Sequence, residues 1–145
     1  MEFNQDFRDI LVALNDANVD FLVVGAYAVA AHGFPRATGD LDIWVRANIE
    51  SAPKVLRALR EFGAPMHKIK ESDFCSSLGG VSNWHPAKLV SGLDFDSAWA
   101  NRIALTIEGV TIPVIGLSDL ITNKRAAGRP RDLADITALE TSIET

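Results

Sequence analysis

The sequence predicts a single α/β domain of the α+β type, in which a mixed β-sheet is flanked by helices. Three observations predict it. The chain has 145 residues, 48% of them hydrophobic, which matches one domain with a core of its own. Apolar residues recur at helical spacing in some segments and form short β-branched or aromatic runs in others. Near the carboxy end, "RIALTIEGVTIPVIG" reads as two strands joined at Glu108 and Gly109, a hairpin set among helical segments.

The elements follow in order. Phe3, Phe7, Ile10, Leu11 and Leu14 share one helical face, and Asn18 offers a stop before a strand from Val19 to Val24. After Gly25 the small residues Ala26 to Ala31 suit a tightly packed helix, and "HGFPRATG" supplies a loop. A second strand is predicted from about Asp40 to Val45. Ser51 and Pro53 mark a helix start, Val55, Leu56, Leu59 and Phe62 its apolar face, and Gly63 its end. Beyond the hairpin, one helix runs from Ser118 to about Ala127 and another from about Pro130 to Glu140, with "GRP" as the break. Residues 67–102 follow neither period for long, and no strand or helix is predicted for most of them.

Charge and composition narrow the function. Fourteen Lys and Arg against 19 Asp and Glu leave a formal charge of −5, which opposes sequence-independent adhesion to nucleic acid or to an anionic membrane. A DNA-binding regulator using "NKRAAGRPR" is disfavoured on the same ground. The one cysteine, Cys75, has no internal disulfide partner, and "MEFNQDF" lacks a basic region followed by an apolar core, so the expected location is cytoplasmic. The most apolar run, Phe21 to Ala31, is much shorter than the roughly 20 residues of a spanning helix.

Asp40 and Asp42 stand one residue apart in an otherwise hydrophobic strand. On a strand, residues i and i+2 project from one face, so their carboxylates lie side by side while Leu41 and Ile43 enter the core. Paired carboxylates suit magnesium, which prefers oxygen ligands and bridges to phosphate. An isolated Asp-x-Asp is also ordinary turn chemistry. Here it follows a strand ending in Gly25, which begins a helix and leaves backbone N–H groups where a phosphate can sit.

These residues together, Val24, Gly25 and Ala26 followed by Asp40, Leu41 and Asp42, resemble the signature of the nucleotidyltransferase superfamily built like DNA polymerase beta, in particular its small stand-alone bacterial members. "VIGLSDLITNKRAAGRPRDLADITAL" is similar to the closing helices of that group. The resemblance implies a nucleotidyltransferase-like fold. It also implies that Asp40 and Asp42 are catalytic and hold magnesium, which carries a nucleoside triphosphate and activates a hydroxyl on a protein, RNA or small molecule. Two departures stand out: Ala26 replaces a common Ser or Gly, and "NWHPAKLVSG" lacks the third carboxylate usual in the family. Asp94 and Asp96 lie nearby but suit a loop and a helix cap. A catalytically impaired binding module of the same fold, such as a toxin–antitoxin component, is the rival reading, and a protein partner or homo-oligomer is compatible with either.

Gly25, Ala26, Arg36 and Lys124 are the expected nucleotide-binding residues, with Arg129 as a further cation for triphosphate oxygens. Asp132 and Asp135 are expected to pair with Arg129 and Arg131, the latter at i, i+4. His32, His67 and His85 have no metal-binding spacing, and Trp44, Trp84 and Trp99 are expected in the core or at subunit contacts.

Overall fold

The fold grows from one short strand. In the computed structural model, which describes residues 5–34, 41–75, 79–82, 85–88 and 92–144, β1 (Phe21–Val24) is buried along its whole length. β2 (Asp42–Val45) runs antiparallel to it, and β6 (Val110–Val114) parallel. With β3 (Gly79–Ser82), β4 (His85–Lys88) and β5 (Ile103–Ile107) they form a six-stranded sheet of order β4-β3-β2-β1-β6-β5. One parallel pairing among antiparallel ones makes the sheet mixed, as predicted.

The helices that flank it follow their sequence signals closely. In α1 (Gln5–Asp16) the predicted face, Phe7, Ile10, Leu11 and Leu14, is buried, while Phe3 lies outside the described residues. The chain leaves α1 through Asn18, whose φ of 58° is left-handed, a conformation asparagine tolerates. The Asn15 amide donates to the Thr111 carbonyl at 3.0 Å and ties the end of α1 to β6. Helix α2 (Gly25–Ala31) begins directly at the end of β1, and α3 (Ala52–Phe62) buries Ala52, Val55, Ala58 and Leu59 before Gly63 closes it. The last two helices are α5 (Leu117–Ala127) and α6 (Pro130–Glu144), the second a turn longer than predicted.

The middle of the chain holds structure that the sequence pattern does not announce. Two 3₁₀ turns, Met66–Lys68 and Glu71–Phe74, lead into the β3–β4 pair. β3 adds antiparallel to β2 with Ser82 opposite Asp42, Val81 opposite Ile43 and Gly80 opposite Trp44. "GGVS" and "HPAK" carry little strand propensity of their own. β3 takes its place by pairing with β2, and β4 by pairing with β3. A six-residue helix, α4 (Phe95–Ala100), follows, and Asp94 caps it by accepting from the Ser97 backbone N–H at 3.1 Å and its hydroxyl at 3.0 Å.

An aromatic and cationic stack fastens α4 to the sheet. Trp44 is fully buried on β2 and meets the Phe95 ring edge to face, centroids 5.1 Å apart. Phe95 also stacks on Trp99, and the Arg46 guanidinium lies 4.7 Å from the Phe95 centroid. Arg46 pairs in addition with Asp20 at 2.9 Å and with Asp96. Trp44 and Trp99 thus take the packing roles expected of them, and Trp84 lies outside the described residues. Among the described residues no helix is long and apolar enough to cross a membrane. Phe95→Ala removes the ring that joins Trp44 to Trp99 and leaves a cavity, so urea unfolding should show a loss of about 3 kcal/mol or more.

Candidate functional site

The register of β1 and β2 builds the centre of the site. Val24 stands opposite Asp42, so the last residue of β1 and the first of β2 meet where the chain turns from β1 into α2. Leu41 and Ile43 on either side of Asp42 are each 1% exposed, as the alternation predicts, whereas Asp42 itself is half-buried. The next residue after Val24 is Gly25, with φ at +70°, a left-handed conformation natural to glycine. The Asp42 carboxylate lies against the bare Gly25 Cα. A Cβ there would overlap Asp42 Oδ2 and come within 3.2 Å of both its Cβ and Cγ. Gly25 is therefore required twice, by its backbone angle and by the side chain seated on it. Ala26 follows as the half-buried second residue of α2.

Asp40 and Arg36 lie outside the described residues. Among the described residues no group of three or more His, Cys, Asp or Glu could hold a metal ion. Opposite Asp42 on β3 stands Ser82, and no residue of β3 is acidic. Asp94 and Asp96 are engaged elsewhere, as helix cap and as partner of Arg46. His32 meets the Ile115 carbonyl at 2.8 Å, so that ring nitrogen carries the proton and donates.

The closing helices carry a chain of alternating charges, Arg129, Asp132, Lys124 and Asp135. Arg129 sits in the break between α5 and α6, its side chain 54% exposed, and its Nε donates to Asp132 Oδ2 at 2.6 Å. Its backbone N–H donates to the same oxygen at 3.2 Å. The hydrogen bonds to Asp132 hold the guanidinium above its ordinary pKa against the opposing effect of burial, and the fields of Asp132, Asp42 and Asp135 add to this. Behind Arg129, the Lys124 ammonium lies 3.2 Å from Asp132 Oδ1 and 3.0 Å from Asp135 Oδ2. The three side chains are 5%, 0% and 8% exposed.

No family model matches the chain, and no curated protein does. The chemistry of the site rests on its own geometry.

That geometry seats Asp42 on Gly25 and holds Arg129 on Asp132, with Lys124 behind Arg129, buried between two carboxylates. The expected pairing of Asp132 with Arg129 is present, but Asp135 pairs with Lys124 rather than Arg131. Asp135 is buried against the Lys124 ammonium, whereas Arg131 is exposed. The coupling of Arg129 to Asp42 is a long-range consequence of the α5–α6 break, and its one local signal is the Asp three residues after the Arg.

Asp132 is fully buried, which opposes its ionisation, yet hydrogen bonds from Arg129 and Lys124 prevail and hold its carboxyl below the usual value. A folded value below the unfolded one contributes stability that is complete above the unfolded value, about 4, and disappears as pH falls through the folded one. Acid titration of the melting temperature should show that loss below about pH 4, and Asp132→Asn should flatten it. Lys124→Met leaves two buried carboxylates without their ammonium and should cost about 3 to 5 kcal/mol in urea unfolding. Gly25→Ala should lose more than the roughly 1 to 2 kcal/mol of left-handed strain. In Gly25→Ala/Asp42→Ala the overlap with Oδ2 is gone and only the close approach of the two Cβ atoms stays, so the measured loss should fall to little more than that strain.

Proposed function

We propose that the chain binds a nucleoside triphosphate together with magnesium at the Gly25–Asp42 site and transfers a nucleoside monophosphate to a hydroxyl acceptor, the acceptor oxygen bonding to the α-phosphorus as the α–β bond breaks and pyrophosphate leaves. The observation that carries this reading is the Asp42 carboxylate held against a glycine with no side chain, with the half-exposed Arg129 in its field. Asp42, with Asp40 two residues earlier on the same predicted strand face, supplies oxygen ligands of the kind magnesium takes. Magnesium, when bound, neutralises phosphate oxygens and makes an acceptor hydroxyl more acidic. Arg129 then offers a planar, permanently charged donor set suited to phosphate oxygens. Lys124, with two carboxylates already at its ammonium, contributes by fixing Asp132 and through it the position of Arg129. The acceptor belongs to the hydroxyl-bearing classes named above: a protein, an RNA or a small molecule.

One observation favours a second reading, a binding module of the same kind without turnover, such as a toxin–antitoxin component. Neither β3, which pairs with β2 at Asp42, nor β4 carries an acidic residue, and Asp94 and Asp96 have other partners. Incubation with labelled triphosphates and candidate acceptors, followed by mass spectrometry, separates the two. Adduct formation supports transfer, and binding without any adduct supports the module.

Both readings require binding. A ligand that only the folded state binds stabilises it by mass action, about 2.7 kcal/mol at a hundredfold excess over Kd, a rise of several degrees for a domain of this size. Magnesium with triphosphate should raise the melting temperature more than either alone, and Asp42→Asn should abolish the magnesium-dependent part. Superimposed melting curves across all four triphosphates with magnesium would rule out both readings.

A further inference from the structure

The sheet has two edges, and they differ in how they meet solvent. At one edge, β4 carries Pro86 and Lys88, residues that discourage pairing with another strand. At the other, β5 reads Ile-Ala-Leu-Thr-Ile without proline, charge or bulge, and is exposed over most of its length. Ile103 is 36% exposed there. An open groove of about 400 Å³ runs alongside, lined by Ala30, Ala31 and Leu105 to Glu108.

The hydrogen-bonding phase of that edge follows from the hairpin. Glu108 and Gly109 both have positive φ, 51° and 83°, which marks a two-residue turn of the I′ type closed by Ile107 and Val110. The closing pair is hydrogen-bonded, so bonding alternates along the ladder: Ile107, Leu105 and Ile103 bond inward to β6, while Thr106 and Ala104 do not. Two facts agree with this phase. Pro113, which has no N–H, faces Ala104, and the Thr106 and Thr111 hydroxyls approach to 2.9 Å, as side chains do in a non-bonded pair. The backbone N–H and C=O of Ala104 and Thr106 therefore point away from the sheet, and among the described residues no strand receives them.

We propose that β5 pairs with β5 of a second copy of this chain, antiparallel about a two-fold axis at Leu105, to join two sheets into one of twelve strands. Two-fold symmetry requires a residue to face itself. With Leu105 at the axis, Ala104 faces the partner's Thr106, so both outward-pointing residues of each copy bond. Ile103 then faces the partner's Ile107, and Arg102 stands across from the partner's Glu108, twice over. Registers centred on Ala104 or Thr106 shorten the overlap and leave these charges unmatched. Charge complementarity thus selects both the occupant and the register. The Arg102 guanidinium is held at the end of β5, 4.0 Å from the Trp99 ring centre and with its Nη1 donating to the Trp99 carbonyl at 2.8 Å. A strand pair buries less than a standard interface, so the association is weak and depends on concentration.

Sedimentation equilibrium over a concentration series into the hundreds of micromolar tests this, with circular dichroism melts to verify that each variant is folded. The wild-type chain should show a monomer–dimer equilibrium. Arg102→Glu and Glu108→Lys should each weaken the dimer at least tenfold, and the two together should restore it. Ala104→Pro, which removes an outward N–H that β6 does not use, should also abolish it while the hairpin stays intact. A monomer at every concentration, a dimer indifferent to the single changes, or a failure of the double change to restore association overturns the proposal.

Discussion

A carboxylate seated against a bare Cα is the contact on which the candidate site depends. Asp42 can occupy that position because β1 and β2 pair with Val24 opposite Asp42, and because the residue after Val24 is a glycine in a left-handed conformation. The constraint works in both directions. A side chain at position 25 would displace the carboxylate, and a one-residue slip of β2 would turn Asp42 into the core and Leu41 or Ile43 out of it. Leu22, Val23, Ile43 and Trp44 are all nearly or completely buried, which makes such a slip costly.

The closing helices carry a line of alternating charges in contact, Arg129, Asp132, Lys124 and Asp135, and the field of Asp42 reaches its outer end. Each interior member is flanked by opposite charges, and this is the condition under which ions can be withdrawn from water. Such a line is not an efficient source of stability, because desolvation consumes most of the attraction. Its effect is positional. Asp132 holds Arg129 through both its side chain and its backbone N–H, so the guanidinium is fixed at the α5–α6 break, and Lys124 in turn fixes Asp132. On the proposed reading, a cation anchored in this way meets phosphate already oriented, whereas an exposed lysine would first have to be immobilised.

Legibility in the sequence tracks the range of the forces involved. Elements set by local rules were readable: the apolar face of α1, the Ser51–Pro53 start and Gly63 end of α3, the Glu108–Gly109 turn, and the Gly-Arg-Pro break between α5 and α6. The strand that begins at Asp42 was readable too, since Leu41 and Ile43 are buried on either side of Asp42. What escaped depends on partners far away in the chain. β3 and β4 have neither alternation nor β-branched runs; β3 is placed by pairing with β2, and β4 by pairing with β3. α4 is too short to show a period, although Asp94 and Ser97 carry its cap. Lys124 looks like any solvated lysine on a helix, and only the inward face of α6 makes it a buried one.

The central claim is that Asp42 and Gly25 form a metal-dependent triphosphate site. Isothermal titration with a triphosphate that cannot be cleaved between its α and β phosphates tests it most directly, in magnesium and again in chelator. The account predicts saturable heat corresponding to one triphosphate per chain in magnesium, none in chelator, and none for Asp42→Asn under either condition. Saturable binding that persists in chelator and in Asp42→Asn, or no heat at all at millimolar triphosphate with magnesium, would contradict it.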